Sequence, residues 1–286
     1  MVASKSARMR SLLREGGLVK AVGAHNGLGA VLAEQAGFDA VWASSFEISA
    51  ARALPDASLL TMTDYLQTAQ ELARACELPI IADCDTGFGN ALNVAHAVRE
   101  YEAAGIAGIC IEDKTFPKVN SFAKHSQPLT SVEDFAHKVG TGKSVQQTAD
   151  FLLIARTEAF IAGYGVDEVL RRAHAFVAAG ADAILVHSKE STPRQLLEFL
   201  ERWDASAPVV AVPTTYYTWP EEDAQKAGVA MFIYANHGLR ASVRSIRETL
   251  TAIRQQGTAA GVEDRICSVD EIFSLQRLDE WMALER

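Results

Sequence analysis

The densest chemistry in the chain is the stretch Ile80-Ile81-Ala82-Asp83-Cys84-Asp85-Thr86-Gly87-Phe88-Gly89-Asn90. An apolar run ends there in two carboxylates at i and i+2, then breaks into a Gly-x-Gly turn. Side chains of an extended strand alternate between faces, so Asp83 and Asp85 leave on one side and Cys84 on the other. Two adjacent carboxylates repel and are costly to keep ionised unless a cation lies between them. Mg²⁺ suits such a pair, with Mn²⁺ able to substitute, because both prefer oxygen ligands and keep water or substrate oxygens in their remaining positions. A second acidic strand end, Ile109-Cys110-Ile111-Glu112-Asp113-Lys114, follows about one strand–helix unit later. Asp-x-Asp at a strand end is also ordinary turn chemistry, so the pair gains meaning only from its surroundings.

Those surroundings are regular. Strand-like runs occur at Val19–Ala24, Ala40–Ser44, Ile80–Asp83, Gly108–Glu112, Phe151–Arg156, Ala183–His187, Val209–Pro213 and Ala230–Tyr234. A helical pattern near 5–15 precedes them, with Met9, Leu12 and Leu13 on one face. Others lie at about 27–36, 63–76, 91–104, 131–145, 167–179, 193–202, 220–227 and 239–256. Near-continuous apolar strands, each followed by a helix, describe a parallel sheet covered by helices. Eight such units predict an α/β chain folded as a (β/α)₈ TIM-type barrel in one domain spanning 1–286, with 257–286 as a helical extension. In such barrels chemistry sits where the strands end. Here those ends carry His25-Asn26, Ser44-Ser45, Asp83 and Asp85, Glu112, Arg156 and Glu158, His187-Ser188, Thr214-Thr215 and Asn236-His237. Three carboxylates to hold a cation, an arginine to grip a carboxylate or phosphoryl group, and small neutral donors together describe an anion-plus-metal site.

Some of these residues have a plainer reading as well. Arg156 and Glu158 could form a structural ion pair, His187 could be bonded to a neighbouring carboxylate, and His237 could cap the last helix. Trp42 and Phe46 suit packing as well as recognition, and Cys84 and Cys110 read as buried small residues rather than nucleophiles. The segment from Lys114 to about Pro128 lacks periodicity and is polar, the usual form of a lid at the catalytic end of a barrel. Its Lys118, Asn120 and Ser121 are placed to cover an anionic ligand. A net charge of −9 over 286 residues argues against nucleic acid. Four cysteines without Cys-x-x-Cys spacing are not a disulfide framework. The absence of a long apolar run or signal-peptide core points to a cytoplasmic protein with no membrane partner.

Taken together, Asp83 to Asn90, Glu112 to Ser121, Ala155 to Gly163, His187-Ser188-Lys189, Val212 to Tyr217 and Tyr234 to Val243 resemble the phosphoenolpyruvate mutase family of the isocitrate lyase superfamily. The resemblance runs from about Gly23 to Gln276. Lyases of the superfamily carry a cysteine in a Lys-x-Cys-Gly-His loop; here the loop reads Lys114-Thr115-Phe116-Pro117-Lys118, so lyase chemistry is not expected. The resemblance implies interconversion of phosphoenolpyruvate and phosphonopyruvate with Mg²⁺, as the entry to phosphonate biosynthesis. It also implies a homodimer or homotetramer in which the last helix is exchanged between subunits. Asp83 is then the main metal ligand, with Asp85 and Glu112 acting largely through water. Trp42, Ser44, Ser45 and Phe46 line the substrate, with Ser44 and its neighbour's backbone on the pyruvyl part. Arg156, His187 and Asn120 hold the phosphoryl group beside Ser121, Lys118 belongs to the closing lid, and Asp56 is a further acid of the catalytic centre. Phe46-Glu47 and Pro55-Asp56-Ala57 are more similar to phosphonopyruvate hydrolase, whereas Asn120 stands where the hydrolase has Thr. The mutase leads. Apart from the resemblance, Ile266, Val269, Ile272, Phe273 and Leu275 lie at helical spacing beyond the eighth unit, where a closed barrel has no core left for them.

Overall fold

The computed structural model describes residues 3–124, 127–205 and 207–285. Its elements run α1 (Lys5–Arg14), β1 (Val19–Ala24), α2 (Gly27–Gln35), β2 (Ala40–Ala43), α3 (Ser45–Ala51), α4 (Met62–Ala75), β3 (Ile80–Asp83), α5 (Ala91–Ala103), β4 (Gly108–Glu112) and α6 (Val132–Ser144). They continue with β5 (Leu152–Thr157), α7 (Val166–Ala178), β6 (Ala183–Val186), α8 (Arg194–Arg202), β7 (Val209–Ala211), α9 (Glu221–Lys226), β8 (Val229–Tyr234) and α10 (His237–Gln256). A 3₁₀ turn (Glu263–Arg265), α11 (Val269–Leu275) and α12 (Leu278–Ala283) complete the chain. The strands pair in parallel in the order β1 to β8, and β1 closes on β8 through Val19–Met231 to Val22–Tyr234. The (β/α)₈ architecture is therefore present, with each strand within one or two residues of its sequence prediction.

Two apolar clusters follow from the period of two. Ala40, Trp42, Ile81, Cys110, Leu152, Ile154, Ala183, Leu185, Val210, Met231 and Ile233 form the barrel interior. The alternate residues Val41, Ala43, Ile80, Ala82, Ile109, Ile111, Leu153 and Ala155 pack outward with helix residues such as Leu72, Tyr101, Phe135 and Phe176. The first helix plugs the end away from the site. Met9 is fully buried in the interior cluster with Leu12 and Leu13 against it, and Arg10 reaches Phe151 O at 3.0 Å and Asp182 Oδ1 at 3.0 Å, both just ahead of strands.

The chain divides into two compact units, Met1–Asn236 and His237–Arg286. The second unit begins with α10. Among the described residues no helix is long and apolar enough to cross a membrane. The helix α3, absent from the sequence reading, is short, but its start was encoded. Ser44 is its N-cap, accepting from Glu47 N at 3.3 Å, in the Ser-x-x-Glu spacing of a helix start.

Candidate active site

Strand parity selects the side chains that reach the mouth of the barrel. Trp42, Ile81, Cys110, Ile154 and Leu185 all belong to the interior cluster. Two residues further along each strand, the same face carries Ser44, Asp83, Glu112, Arg156 and His187. Register brings them into neighbouring positions, with Asp83 opposite Cys110, Glu112 opposite Arg156, and Arg156 opposite Leu185. After β3 the backbone turns sharply. Asp85 adopts φ +51°, in the left-handed region, and its carbonyl accepts the Glu112 N–H at 2.7 Å. Gly87, at φ +83°, has no room for a side chain, since a Cβ there would lie 2.4 Å from Val94 Cγ2. The turn that carries Asp85 is thus tied to β4, which carries Glu112.

Two polar networks meet at this mouth. In the first, Lys118 is buried and donates to Asp56 Oδ1 at 2.6 Å, with Asp85 Oδ1 at 3.0 Å. Asn120 is held to the same aspartate twice, by its backbone N–H on Asp56 O at 3.0 Å and by its side-chain amide on Oδ2 at 2.7 Å. Ser58 receives the Lys118 N–H at 3.0 Å. The loop after β4 therefore lies closed across the mouth, clamped to the loop after α3. At its base Lys114 bridges to Leu129, and Thr130 N donates to Asp113 O at 2.8 Å.

The second network centres on Glu158, which is fully buried. Its Oε1 accepts from Arg156 Nε at 2.6 Å and lies 2.8 Å from His187 Nδ1. Its Oε2 accepts from Ser121 Oγ at 2.5 Å and lies 3.1 Å from Lys114 Nζ. Arg156 also approaches Glu112 Oε2 at 3.2 Å, linking this network to the acidic group. Behind it, buried Asp113 receives Glu158 N at 2.8 Å and Thr157 Oγ1 at 3.1 Å and pairs with Arg172 at 3.2 Å. Both plainer sequence readings are realised here: Arg156 does pair with Glu158, and His187 does touch a carboxylate.

Burial sets the electrostatics. It raises the carboxyls of Asp83 and Asp85, against the opposing pull of Lys118. Burial alone would lower Lys118, but Asp85 and Asp56 outweigh it and keep the ammonium firmly protonated. Burial likewise works against the charge on Glu158, yet Arg156, His187 and Lys114 together hold its carboxyl well below the usual range. His187 is lowered by burial and by the adjacent guanidinium. Among the described residues, Asp85 Oδ2 and Glu112 Oε1 accept no hydrogen bond. The Lys114 ammonium lies 3.5 Å from Glu112 Oε1, whereas Asp85 Oδ2 has no donor among the described residues. A buried acceptor left so costs about 1–3 kcal/mol, more when charged, so that oxygen suits a divalent cation. Among the described residues no three His, Cys, Asp or Glu side chains form a ready-made cage.

The expected residues fall into distinct places. Ser45 Oγ donates to Asp83 Oδ2 at 2.9 Å, while the Ser44 hydroxyl is engaged as the cap of α3. Trp42 lies in the interior core and Phe46 is half-buried on α3. Arg156, His187 and Ser121 are brought together, whereas Asn120 sits beside them on Asp56. Ser58 and Lys114 escaped the sequence reading as site residues. Lys114 had a signal in the Glu-Asp-Lys triplet; Ser58 had none.

The sequence model of the family described as phosphoenolpyruvate phosphomutase matches residues 9–254. A curated relative, phosphonopyruvate hydrolase from Variovorax sp. (strain Pal2), is 44% identical over 284 residues, covering 99% of this chain and 98% of that protein. A solved phosphoenolpyruvate phosphomutase from Streptomyces platensis subsp. rosaceus is 50% identical, covers 98% of both chains and gives a TM-score of 0.97. A solved complex of phosphonopyruvate hydrolase with oxalate and Mg²⁺ is 43% identical, with a TM-score of 0.94 over 99% of this chain and 98% of that one.

Proposed function

Since the chain belongs to the phosphoenolpyruvate phosphomutase family and is an enzyme of that type, we propose that it interconverts phosphoenolpyruvate and phosphonopyruvate. The observation that carries this reading is the closed lid. Lys118 is buried between Asp56 and Asp85, and Asn120 is fastened to Asp56, so the loop is held across the mouth. The reaction moves a phosphoryl group between the enol oxygen and C3 of a pyruvyl unit: one P–O bond breaks and one P–C bond forms, or the reverse. Such transfer proceeds through a loose transition state that needs positioning and charge stabilisation more than covalent help. Arg156, with His187 beside it, grips the moving group; Asn120 supplies a neutral donor from the lid. Ser45 and the backbone at Ser44 face the pyruvyl part. Asp83, Asp85 and Glu112 would hold Mg²⁺, which would supply positive charge to offset the negative charge that develops in the reaction. The solved hydrolase complex with Mg²⁺ supports that choice of ion.

The second reading, phosphonopyruvate hydrolase, is favoured by the 44% identical relative and by Phe46-Glu47. The two differ in whether the transferring group meets pyruvate again or water. Phosphonopyruvate given to the purified protein with Mg²⁺ and followed by ³¹P NMR should develop a phosphoenolpyruvate signal. Phosphate and pyruvate in equal amounts, with no phosphoenolpyruvate, would assign the hydrolase instead.

A further inference from the structure

We propose that Glu158 is a positioning residue that couples the lid to the phosphoryl grip, so that closure of one sets the geometry of the other. This rests on the reading of Arg156 and His187 as the grip. The two oxygens of one buried carboxylate are divided between two structural elements. Oε1 serves the barrel strands, through Arg156 Nε at 2.6 Å and His187 Nδ1 at 2.8 Å. Oε2 serves the loop after β4, through Ser121 Oγ at 2.5 Å and Lys114 Nζ at 3.1 Å. The Ser121 hydroxyl also receives Lys114 Nζ at 2.6 Å and Arg156 Nη2 at 3.2 Å. One lid hydroxyl therefore touches the carboxylate and both cations that neutralise it.

Charge makes the bridge compulsory. Glu158 has no access to solvent, so its charge is balanced only by the groups around it, and withdrawing one partner leaves a buried ion under-compensated. When the lid lifts, Ser121 leaves Oε2, and the carboxylate must shift toward Arg156 and His187 or lose a donor. When the lid closes, Oε2 is held and Oε1 fixes the guanidinium and the imidazole ring in one orientation. A second lid contact acts on the same ring, with Phe122 edge-on to His187 at 5.6 Å between centroids. The backbone of Glu158 is itself pinned, its N–H donating to buried Asp113 at 2.8 Å, so the side chain pivots on a fixed base.

The test uses the full chain and needs no turnover. Hydrogen–deuterium exchange over residues 114–124 reads the lid, and the imidazole ¹⁵N and ¹H resonances of His187 read the grip. Glu158→Gln removes the charge and keeps the shape, and should raise lid exchange about tenfold or more. Ser121→Ala, a lid change, should move the His187 resonances. In a Glu158→Gln background the same Ser121→Ala change should move them far less, because the carrier of the signal is gone. If Glu158→Gln does not fold, Glu158→Asp, one methylene shorter, takes its place in the cycle. Lid exchange within about twofold of the parent, or an equal His187 response to Ser121→Ala in both backgrounds, overturns the coupling; the latter assigns it to Arg156 directly. Absence of phosphonopyruvate turnover in the parent protein would instead count against the proposed reaction and leave these two readouts intact.

Discussion

Asp83 and Asp85 stand two residues apart yet face different partners, and the difference assigns their roles. Asp83 ends the strand, accepts from two neutral donors, the Ser45 hydroxyl and the Asp85 N–H, and has its charge opposed by burial. Asp85 already has an ammonium 3.0 Å away. Asp83 is therefore the carboxylate with most to gain from a cation. Replacing it by Ala should reduce turnover on the order of 10³-fold or more, because an electrostatic stabiliser of the transition state is lost. Glu112→Ala should weaken Mg²⁺ affinity with the fold retained; metal titrations of both variants followed by activity and circular dichroism check this. Near-normal, Mg²⁺-dependent activity in Asp83→Ala would refute the assignment. Glu158 makes a separate prediction about pH. Its carboxyl lies below the ordinary range in the folded chain despite burial, so it contributes stability above the unfolded value of about 4.3 and loses it as pH falls through the folded value. The melting temperature of the parent should consequently drop more steeply below about pH 4.5 than that of Glu158→Gln. Period-two reasoning was enough to place Asp83, Glu112, Arg156 and His187 at one end of the barrel. It could not identify Glu158 as a hub, because that role depends on Lys114, Ser121 and His187, which only the closed fold brings together.

At the scale of elements, legibility followed burial. The strands were readable because both of their faces are apolar, which leaves near-continuous runs such as Ile80–Ala82 and Leu152–Ala155. The helix α3 was not, since seven residues give too few turns for a period to stand out, although Ser44 and Glu47 marked its start. The loop after β4 was legible as an irregular polar segment by its lack of pattern, but its fastening to Asp56 was not, because Asp56 and Lys118 are 62 residues apart. That fastening matters for the outcome of the reaction. Asn120 is held by Asp56 at its amide nitrogen, and its Oδ1 accepts the Phe122 N–H at 3.0 Å, so its side chain stiffens the lid while presenting a polar surface beneath it. Threonine is shorter and could not make both contacts. Asn120→Thr and Asn120→Ala should lower mutase turnover by about 10- to 100-fold, in line with a misplaced positioning group, and release phosphate as water gains entry. The ratio of phosphate to phosphoenolpyruvate by ³¹P NMR reads the effect. An unchanged ratio together with unchanged rate would remove Asn120 from the control of water.

For the whole molecule, the question is what the second unit does with its apolar surface. On α10, Val243, Ile246 and Leu250 recur at helical spacing and are 45%, 57% and 61% exposed. Beyond it Ile266, Val269 and Phe273 are 41%, 66% and 43% exposed, and Trp281, Met282 and Leu284 are more than half or half open to water at 69%, 50% and 79%. Scattered exposed leucines need no explanation, but nine large apolar side chains concentrated within one fifty-residue unit make a contiguous interface the economical reading. Of the tail residues singled out from sequence, Ile272 and Leu275 are half-buried, which leaves Ile266, Val269 and Phe273 for a partner. We therefore expect a homodimer or homotetramer in which this unit is buried against a second copy, since a self-complementary patch on identical chains closes most simply by two-fold symmetry. Ending the chain at residue 257 removes α11 and α12 and leaves the exposed row of α10 without its neighbours in the interface. The truncated protein should aggregate or lose the oligomer, as measured by light scattering coupled to size exclusion, and Val269→Asp with Phe273→Asp in the full chain should weaken association without emptying the barrel core. A soluble, active monomer from the truncation would show that the unit has another use.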